Sequence, residues 1–301
     1  MKWQVLSVVI VLLVAVGCSV LPIRKEKIVF ESYRDDVAEV YVMDVDGSNP
    51  VNLSDHPAYD GTPSWSPDGQ QIVFTSERDG NPDIYIMDLD GTDPRQLTQG
   101  GGFNVVPAWS PDGSQILFAS NRTYHVDVEG GYIEVPGNTK LWVVDADGSN
   151  PDQLTSQLGL DLYGSWSPDG QSVVFMSVRD DNSEIYLLRP DGVEVNLTNN
   201  PASDLNPAWS PDGSRIAFMS KREGNSEIYT LDLENDALTN LTQSPSNEGD
   251  PAWSPDGSKI VFTSDRDGNI EIYVMDADGA NPRRLTNHPA DDIHPHWQPA
   301  P

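Results

Sequence analysis

Short apolar runs bounded by turn-forming residues recur along nearly the whole chain. The pentapeptide Trp-Ser-Pro-Asp-Gly occurs five times, and a truncated copy, Trp-Gln-Pro, closes the sequence. These copies begin at Trp65, Trp109, Trp166, Trp209, Trp253 and Trp297, with spacings of 44, 57, 43, 44 and 44 residues. Repetition at a fixed period of this length predicts an architecture built from one repeated supersecondary unit.

Each repeat contains four short segments of β-strand character. We name them A, which ends at the tryptophan; B, an apolar triplet ending in Phe; C, an Ile-Tyr segment; and D, a Leu-Thr segment. In one repeat they are marked by Trp65, Phe74, Tyr85 and Leu97. Apolar triplets without alternation are typical of strands covered on both faces, as in stacked blades. Four strands per period of about 44 residues predict the blades of a β-propeller.

The first copy of the repeat lacks its A segment. It starts in B at Ile28 and ends with Leu53-Ser54, whereas the chain closes with an isolated A segment, 294–297. This last segment is predicted to complete the first blade and close the ring non-covalently. The sequence thus predicts an all-β protein: a six-bladed β-propeller of four-stranded antiparallel blades over residues 28–298, with a tail at 299–301. Proline two residues before most of the tryptophans places A on an edge, facing a central channel.

The repeat motifs resemble those of a known family. Trp-Ser-Pro-Asp-Gly, Phe-x-Ser-x-Arg, Ile-Tyr-x-Met-Asp-x-Asp-Gly and Leu-Thr are similar to the WD40-like repeats of the TolB propeller family, over residues 28–297. The resemblance implies the propeller fold and says less about function. TolB itself carries an α/β domain before its propeller, whereas about nine residues separate Cys18 from the first strand here. We therefore expect a TolB-like propeller that lacks this N-terminal domain.

The N-terminus has the pattern of an export signal. Lys2 precedes an apolar run, 3–16, which is too short to span a bilayer comfortably, and Ala15-Val16-Gly17-Cys18 follows. This resembles a bacterial lipoprotein signal peptide over residues 1–17, although Ala15 stands where Leu is preferred. The resemblance implies cleavage before Cys18, lipidation of that residue and a short tether over 18–27. It predicts an exported protein, lipid-anchored to a bacterial membrane on its periplasmic or cell-surface side; an ordinary secretory signal and an uncleaved anchor are the alternatives.

The charge balance excludes one class of partner. The chain has 47 acidic and 18 basic residues, for a formal net charge of −29. Nucleic-acid binding requires clusters of Lys and Arg, so a surface this acidic excludes it, and we expect membrane contact only through the lipid anchor. A cation or a basic protein partner suits the charge. The single cysteine permits no intramolecular disulfide.

No catalytic motif is present. The sequence has no Gly-x-Ser-x-Gly elbow, zinc-ligand spacing, phosphate loop or dinucleotide fingerprint. His56 and His288 occupy matching loops after D, whereas His294 and His296 flank Pro295 and are either a metal pair or ordinary strand residues. Asp-x-Asp-Gly occurs four times but lacks the later ligands of a calcium loop, so it predicts hairpin turns. We expect no enzyme activity and no cofactor, with calcium at the channel mouth as an alternative.

One constellation recurs in every repeat. Five residues before each tryptophan lies an acid or an amide, and a Ser-x-Arg follows each B segment. Both sets are predicted at one mouth of the channel, either as an arginine–carboxylate pair in each blade or as an electronegative site for a cation or basic peptide. The acidic or amide positions are Asp60, Asn104, Asp161, Asp204, Glu248 and Asp292, and the arginines are Arg34, Arg78, Arg122, Arg179, Arg222 and Arg266.

The 57-residue interval contains an insertion between the B and C segments of one repeat. Residues 124–136 alternate apolar and acidic side chains around Gly-Gly and predict a small β-hairpin above the channel mouth. The insertion is either a tolerated surface loop or a recognition element that uses Tyr124, His125 and Tyr132. We expect a monomeric envelope scaffold that binds a protein or peptide through one face. A lyase or hydrolase acting on a polymer, or a calcium-dependent binding module, is the alternative.

Overall fold

The computed structural model describes residues 26–100, 102–122, 124–128, 131–135, 138–179 and 182–300. The predicted signal peptide, Cys18 and the tether up to residue 25 lie outside the described residues. The described segments form six four-stranded antiparallel sheets and one separate two-stranded sheet. No helix in these segments is long and apolar enough to cross a membrane.

Each four-stranded sheet is one blade, with strand A on the inside and strand D on the outside. Blade 1 contains β1 (Lys27–Ser32), β2 (Glu39–Asp44) and β3 (Val51–Asn52); blade 2 contains β4 (Asp60–Trp65), β5 (Gln71–Ser76), β6 (Asp83–Asp88) and β7 (Arg95–Gln96). Blade 3 contains β8 (Asn104–Trp109) and β9 (Gln115–Ser120), then the inserted β10 (Tyr124–Val128) and β11 (Gly131–Val135), then β12 (Lys140–Asp145) and β13 (Asp152–Gln153). Blade 4 contains β14 (Leu160–Trp166), β15 (Val173–Val178), β16 (Ser183–Leu188) and β17 (Glu194–Asn196). Blade 5 contains β18 (Asp204–Trp209), β19 (Arg215–Ser220), β20 (Glu227–Asp232) and β21 (Leu238–Asn240). Blade 6 contains β22 (Glu248–Trp253), β23 (Lys259–Ser264), β24 (Glu271–Asp276) and β25 (Arg283–Arg284), and the last strand is β26 (Asp292–Trp297).

The predicted ring closure is confirmed. Strand β26 pairs antiparallel with β1, with Trp297 opposite Ile28 and Asp292 opposite Ser32. The C-terminal strand is therefore strand A of blade 1. Strand A lies at the inner edge of each sheet, which explains why it tolerates proline.

The hydrophobic core lies between the blades. The B triplet Ile72-Val73-Phe74 is fully buried. Val29 and Val40 of blade 1 form one cluster with Trp65 and other residues of blade 2. This arrangement explains the apolar triplets without alternation, because each blade is covered by a neighbour on both faces.

The turns are built as their sequences predict. In the first A–B hairpin the amide of Gly69 donates to the carbonyl of Ser66 at 2.8 Å. In the first Asp-x-Asp-Gly turn the amide of Gly47 donates to the carbonyl of Asp44 at 2.8 Å. Gly47 has a φ of +89°, and a Cβ there would lie 2.3 Å from the carbonyl oxygen of Leu285 in the adjacent blade. The residue must therefore be glycine, both for its backbone conformation and for blade packing.

The position of strand D differs from the prediction. These strands contain two or three residues and end just before the Leu-Thr pair that was expected to form them. The leucine still bonds to strand C, since the amide of Leu97 donates to the carbonyl of Ile84 at 2.8 Å. At the next residue a side chain takes the place of the backbone partner, because the hydroxyl of Thr98 accepts the hydrogen bond of the Ile84 amide at 2.9 Å. Strand D therefore ends before the Leu-Thr pair, where a side-chain hydrogen bond replaces the backbone pairing.

Candidate binding site in the central channel

A β-bulge interrupts strand A in all six blades. The pairing of strands A and B shifts register in the middle of strand A, three residues before the tryptophan. The residue at this point has a φ between +48° and +55° in every blade. We call these six residues the channel ring: Thr62, Val106, Tyr163, Asn206, Asp250 and His294. A β-bulge redirects a side chain, and here the redirected side chains line the central channel.

The channel ring holds strained backbone. Glycine is absent from it, although φ is positive at every position. For β-branched residues such as Thr62 and Val106 this conformation is a genuine outlier, and it costs on the order of 1–3 kcal/mol per residue. The surrounding sheet must impose it.

The cavity at the channel ring has a volume of about 230 Å³. It is lined by the ring and the two residues that follow each ring position. Pockets for drug-sized molecules are larger, about 300–1,000 Å³. The channel therefore has room for a side chain or a chain end, not for a large cofactor.

A hydrogen-bonded network crosses one half of the channel. The side-chain amide of Asn206 donates to Asp250, and Nε2 of His294 lies 3.9 Å from Oδ1 of Asp250. Nδ1 of His294 lies 3.0 Å from Oε2 of Glu31. The same carboxylate oxygen accepts the amide of Thr62 at 2.9 Å. The network thus connects blades 5, 6, 1 and 2, across the seam where the ring closes.

Glu31 is the buried centre of this network. Its exposed fraction is 1%, and the hydroxyl of Tyr59 donates to it at 3.2 Å. A Cβ on Gly61 would lie 2.4 Å from Oε2 of Glu31 and 2.3 Å from the Tyr59 hydroxyl. Gly61 therefore provides the space for the carboxylate.

Two side chains meet across the channel from opposite blades. Tyr163 of blade 4 and His294 of blade 1 have ring centroids 6.4 Å apart. Burial raises the pKa of Tyr163 to about 12, and the charges of Asp250 and Glu31 add to the shift. The tyrosine therefore remains a neutral hydroxyl at any physiological pH.

The imidazole of His294 is held in its charged form. Burial lowers its pKa, but the charge of Asp250 and the hydrogen bond and charge of Glu31 outweigh this and raise the pKa to about 9. Burial raises the pKa of Glu31, but the hydrogen bond and charge of His294 prevail, so the net shift is downward. An imidazolium between two carboxylates is the expected state at neutral pH.

His296 differs from His294. Burial lowers the pKa of His296 to about 4, and its Nδ1 has no hydrogen-bond partner. Both histidines line the channel, but Nδ1 of His294 is bonded to Glu31 and its Nε2 lies within ion-pair distance of Asp250. Within the described segments, no group of three or more His, Cys, Asp or Glu residues is placed to hold a metal ion.

An arginine binds the acid or amide of strand A in every blade. The six acidic or amide residues that begin or nearly begin strand A are 0–1% exposed. Each binds the arginine that follows strand B: Arg34 to Asp292 at 2.6 Å, Arg78 to Asp60 at 2.8 Å, Arg122 to Asn104 at 2.9 Å, Arg179 to Asp161 at 3.0 Å, Arg222 to Asp204 at 2.9 Å and Arg266 to Glu248 at 3.0 Å. Each guanidinium also lies over two aromatic rings, at 4.2–5.8 Å from their centroids. These side chains connect strands within the blade.

The comparisons agree with this architecture. The family model for the TolB beta propeller domain matches residues 24–130 and 137–300. The chain belongs to the TolB β-propeller family.

Solved structures of the same shape include two proteins described as TolB and one hydrazine synthase. The crystal structure of TolB from Acinetobacter baumannii is 24% identical, with a TM-score of 0.78 over 91% of this chain and 67% of that chain. A putative TolB from Agrobacterium tumefaciens is 26% identical, with a TM-score of 0.69 over 87% of this chain and 88% of that one. Hydrazine synthase of Kuenenia stuttgartiensis is 15% identical, with a TM-score of 0.74 over 91% of this chain and 46% of that chain, and shows the fold alone. Among proteins of curated function, none matches this sequence.

The histidines of the D–A loops belong to the repeat of this TolB-family propeller, as expected. The amide of Ala58 donates to Nδ1 of His56 at 3.2 Å, and the amide of Ala290 donates to Nδ1 of His288 at 3.2 Å.

The insertion forms the predicted hairpin, since β10 and β11 pair with each other. The side chains of Tyr124, His125 and Tyr132 lie outside the described part of the structure.

Sequence reasoning missed the channel ring. The signal was present, because this is a position where the six aligned copies carry six different residue types: Thr, Val, Tyr, Asn, Asp and His. The recurring acids and arginines are more conspicuous in the sequence, but they bind each other. Among repeats of one fold, recurring residues build the scaffold, whereas a variable position in the channel can carry the recognition chemistry.

Proposed function

We propose that this protein is an exported, lipid-anchored propeller that binds a protein or peptide of the cell envelope. Binding occurs on the face that carries the B–C and D–A loops, here called the loop face. The bound segment inserts a side chain or chain end into the channel ring. The lipoprotein-like signal before Cys18 and membership of the TolB propeller family support this proposal.

The chemical variety of the channel ring carries the proposal. Six blades with one repeated framework direct six different side chains at the same space. Their backbone strain of roughly 1–3 kcal/mol each is typical of functional positions. A cavity of about 230 Å³ fits one or two side chains of a partner.

The charge state of the channel disfavours the enzyme alternative. A lyase or hydrolase needs a base near its substrate with a pKa near the working pH. His294 and Tyr163 converge in the channel, as such an enzyme would require. However, the pKa of His294 is raised to about 9 and that of Tyr163 to about 12. The first is protonated at neutral pH and the second is too weak an acid to act as a phenolate, so neither group is poised for proton abstraction.

Affinity capture from solubilised envelopes tests the binding function. The double variant Tyr163→Ala, Asn206→Ala alters two channel-ring positions, and Val193→Ala alters an exposed residue in a C–D turn on the opposite face. We expect wild type and Val193→Ala to recover the same partner, and the channel variant to recover at least about tenfold less. Equal recovery by all three proteins would refute binding through the channel ring.

The anchor has a separate test. The variant Cys18→Ser removes the only thiol in the sequence. We expect it to lose incorporation of labelled palmitate and to leave the membrane fraction. Normal labelling of this variant would show that Cys18 is not the lipidated residue.

A further inference from the structure

Both ends of the described chain emerge on the same face of the propeller. The carbonyl of Glu26 accepts the amide of Val45 beside the first C–D turn, at 3.4 Å. The amide of Gln298 donates to the carbonyl of Lys27 at 2.9 Å. The side chain of Gln298 also donates to the carbonyl of Gly69 in an A–B hairpin, at 3.0 Å. Residues 26–27 therefore lie on the face that carries the A–B hairpins and the C–D turns.

This face contains an aromatic mouth of the channel. Its cavity, about 370 Å³, is lined by tryptophans of the repeat and by the prolines two residues after them. We call it the tryptophan face, and its indoles are Trp65, Trp109, Trp166, Trp209 and Trp253. The loop face lies at the other end of the channel, and the channel ring lies between the two faces, in the middle of strand A.

An acidic rim surrounds the aromatic mouth. Backbone and side-chain hydrogen bonds in the A–B hairpins lower the pKa of Asp112, Asp212 and Asp256 to about 2. These carboxylates are ionised at any envelope pH. An anionic bilayer therefore repels this face, and the repulsion extends over a Debye length of about 8 Å at physiological salt.

The tether is short relative to the depth of the propeller. Nine Cα–Cα steps separate Cys18 from Lys27, and they span at most about 30–32 Å when fully extended. A six-residue strand is about 20 Å long, and strands C and D add about 10 Å to the path around the edge of a blade. Reaching the loop face from the starting point of β1 thus requires roughly 30 Å before any contact with lipid. Only a fully extended tether covers this path, with no length left for contact with lipid, whereas the tryptophan face requires no such extension.

We propose that the tryptophan face is the membrane-facing side of the anchored protein and that the loop face, with the inserted hairpin, points away from the bilayer. The aromatic mouth lies over the lipid surface, and the acidic rim separates it from anionic headgroups. The inference rests on the proposed anchor at Cys18, and it explains why the recognition surface is at the opposite end of the channel.

Energy transfer from tryptophan to a dansyl lipid measures this orientation directly. The chain from Cys18 onward is coupled through its single thiol to a maleimide phospholipid in phosphatidylcholine vesicles that contain dansyl lipid. The control is Cys18→Ser, Lys221→Cys, which attaches the protein through an exposed B–C turn on the loop face. Both proteins carry Trp142→Phe, so that the remaining tryptophans are those of the repeat.

We expect transfer several-fold stronger for the Cys18-coupled protein than for the control. Replacing part of the lipid with phosphatidylglycerol should weaken transfer at low salt, and 0.5 M NaCl should restore it. Equal transfer from both attachment points would overturn the orientation, and insensitivity to anionic lipid would overturn the role of the rim. Because the thiol is coupled chemically, these results do not depend on whether a cell lipidates Cys18.

Discussion

At the scale of single residues, each blade contains one partly buried arginine that contacts a buried acid or amide of strand A and two aromatic rings. The guanidinium of Arg78 binds Asp60 at 2.8 Å and lies 5.4 Å from the ring centre of Phe74 and 5.0 Å from that of Tyr85. Removing one partner of such a pair leaves a buried, uncompensated charge. Six pairs of this kind therefore make the blades sensitive to substitution at positions outside the channel ring.

Substitution of Asp60 tests this sensitivity. Asp60 is fully buried, so Asp60→Ala should lower the free energy of unfolding by about 3–5 kcal/mol. Exposed Glu77, next to Arg78, is the matched acidic control, and Glu77→Ala should change stability by less than about 0.5 kcal/mol. Urea unfolding measures both. Equal small effects would show that the pair does not stabilise the blade.

The charged state of His294 predicts a pH dependence. Three groups face its ring: Glu31 on β1, Asp250 on β22 and Tyr163 on β14. The pKa of His294 rises from 6.5 to about 9 on folding, so its contribution is complete below about pH 6.5 and is lost as the pH rises through 9. The free energy of unfolding should fall by about 3 kcal/mol over this interval.

Urea unfolding between pH 6 and pH 10 measures this slope. The variant His294→Gln should lack it, whereas His56→Asn, in a D–A loop, should retain it. A wild-type slope in His294→Gln would contradict the proposed imidazolium between two carboxylates.

At the scale of elements, the sequence predicts the two ends of strand A but not the β-bulge in its middle. Its start and end were predictable, because an acid or amide and a tryptophan recur five residues apart. The bulge was not, because it contains no glycine and its six residues share no propensity for positive φ. The surrounding sheet imposes that conformation, so the bulge appears only in the folded protein, although the variability of the channel-ring position is visible in the sequence.

The inserted hairpin forms an element of its own. Strands β10 and β11 pair with each other in a separate two-stranded sheet and join no blade. Deleting residues 124–136 should therefore leave the melting temperature within a few degrees of wild type, since a surface loop of this length contributes little to stability. If the hairpin is a recognition element, the same deletion should abolish partner capture. Capture at unchanged affinity would leave the hairpin as a tolerated insertion.

At the scale of the whole molecule, the ring depends on one non-covalent closure. The sequence predicted it correctly, because a repeat that starts in strand B and ends in strand A has one arrangement without open edges. Deleting residues 292–301 removes β26 and the buried Trp297, which is 6% exposed. Loss of that side chain alone should cost roughly 3–5 kcal/mol.

Thermal unfolding compares this truncation with deletion of residues 299–301 alone. The shorter deletion leaves β26 paired with β1 and should melt like wild type. A melting temperature that is the same for both truncations would contradict closure by the C-terminal strand.

Photo-crosslinking from the channel ring tests the central claim, that this propeller recognises a partner through its channel. A photoreactive phenylalanine analogue is placed at Tyr163 in the anchored protein in cells, and at Val193 in the control. We expect a discrete covalent adduct with one envelope partner from position 163 and none from position 193. No adduct from position 163, or the same adducts from both positions, would contradict it.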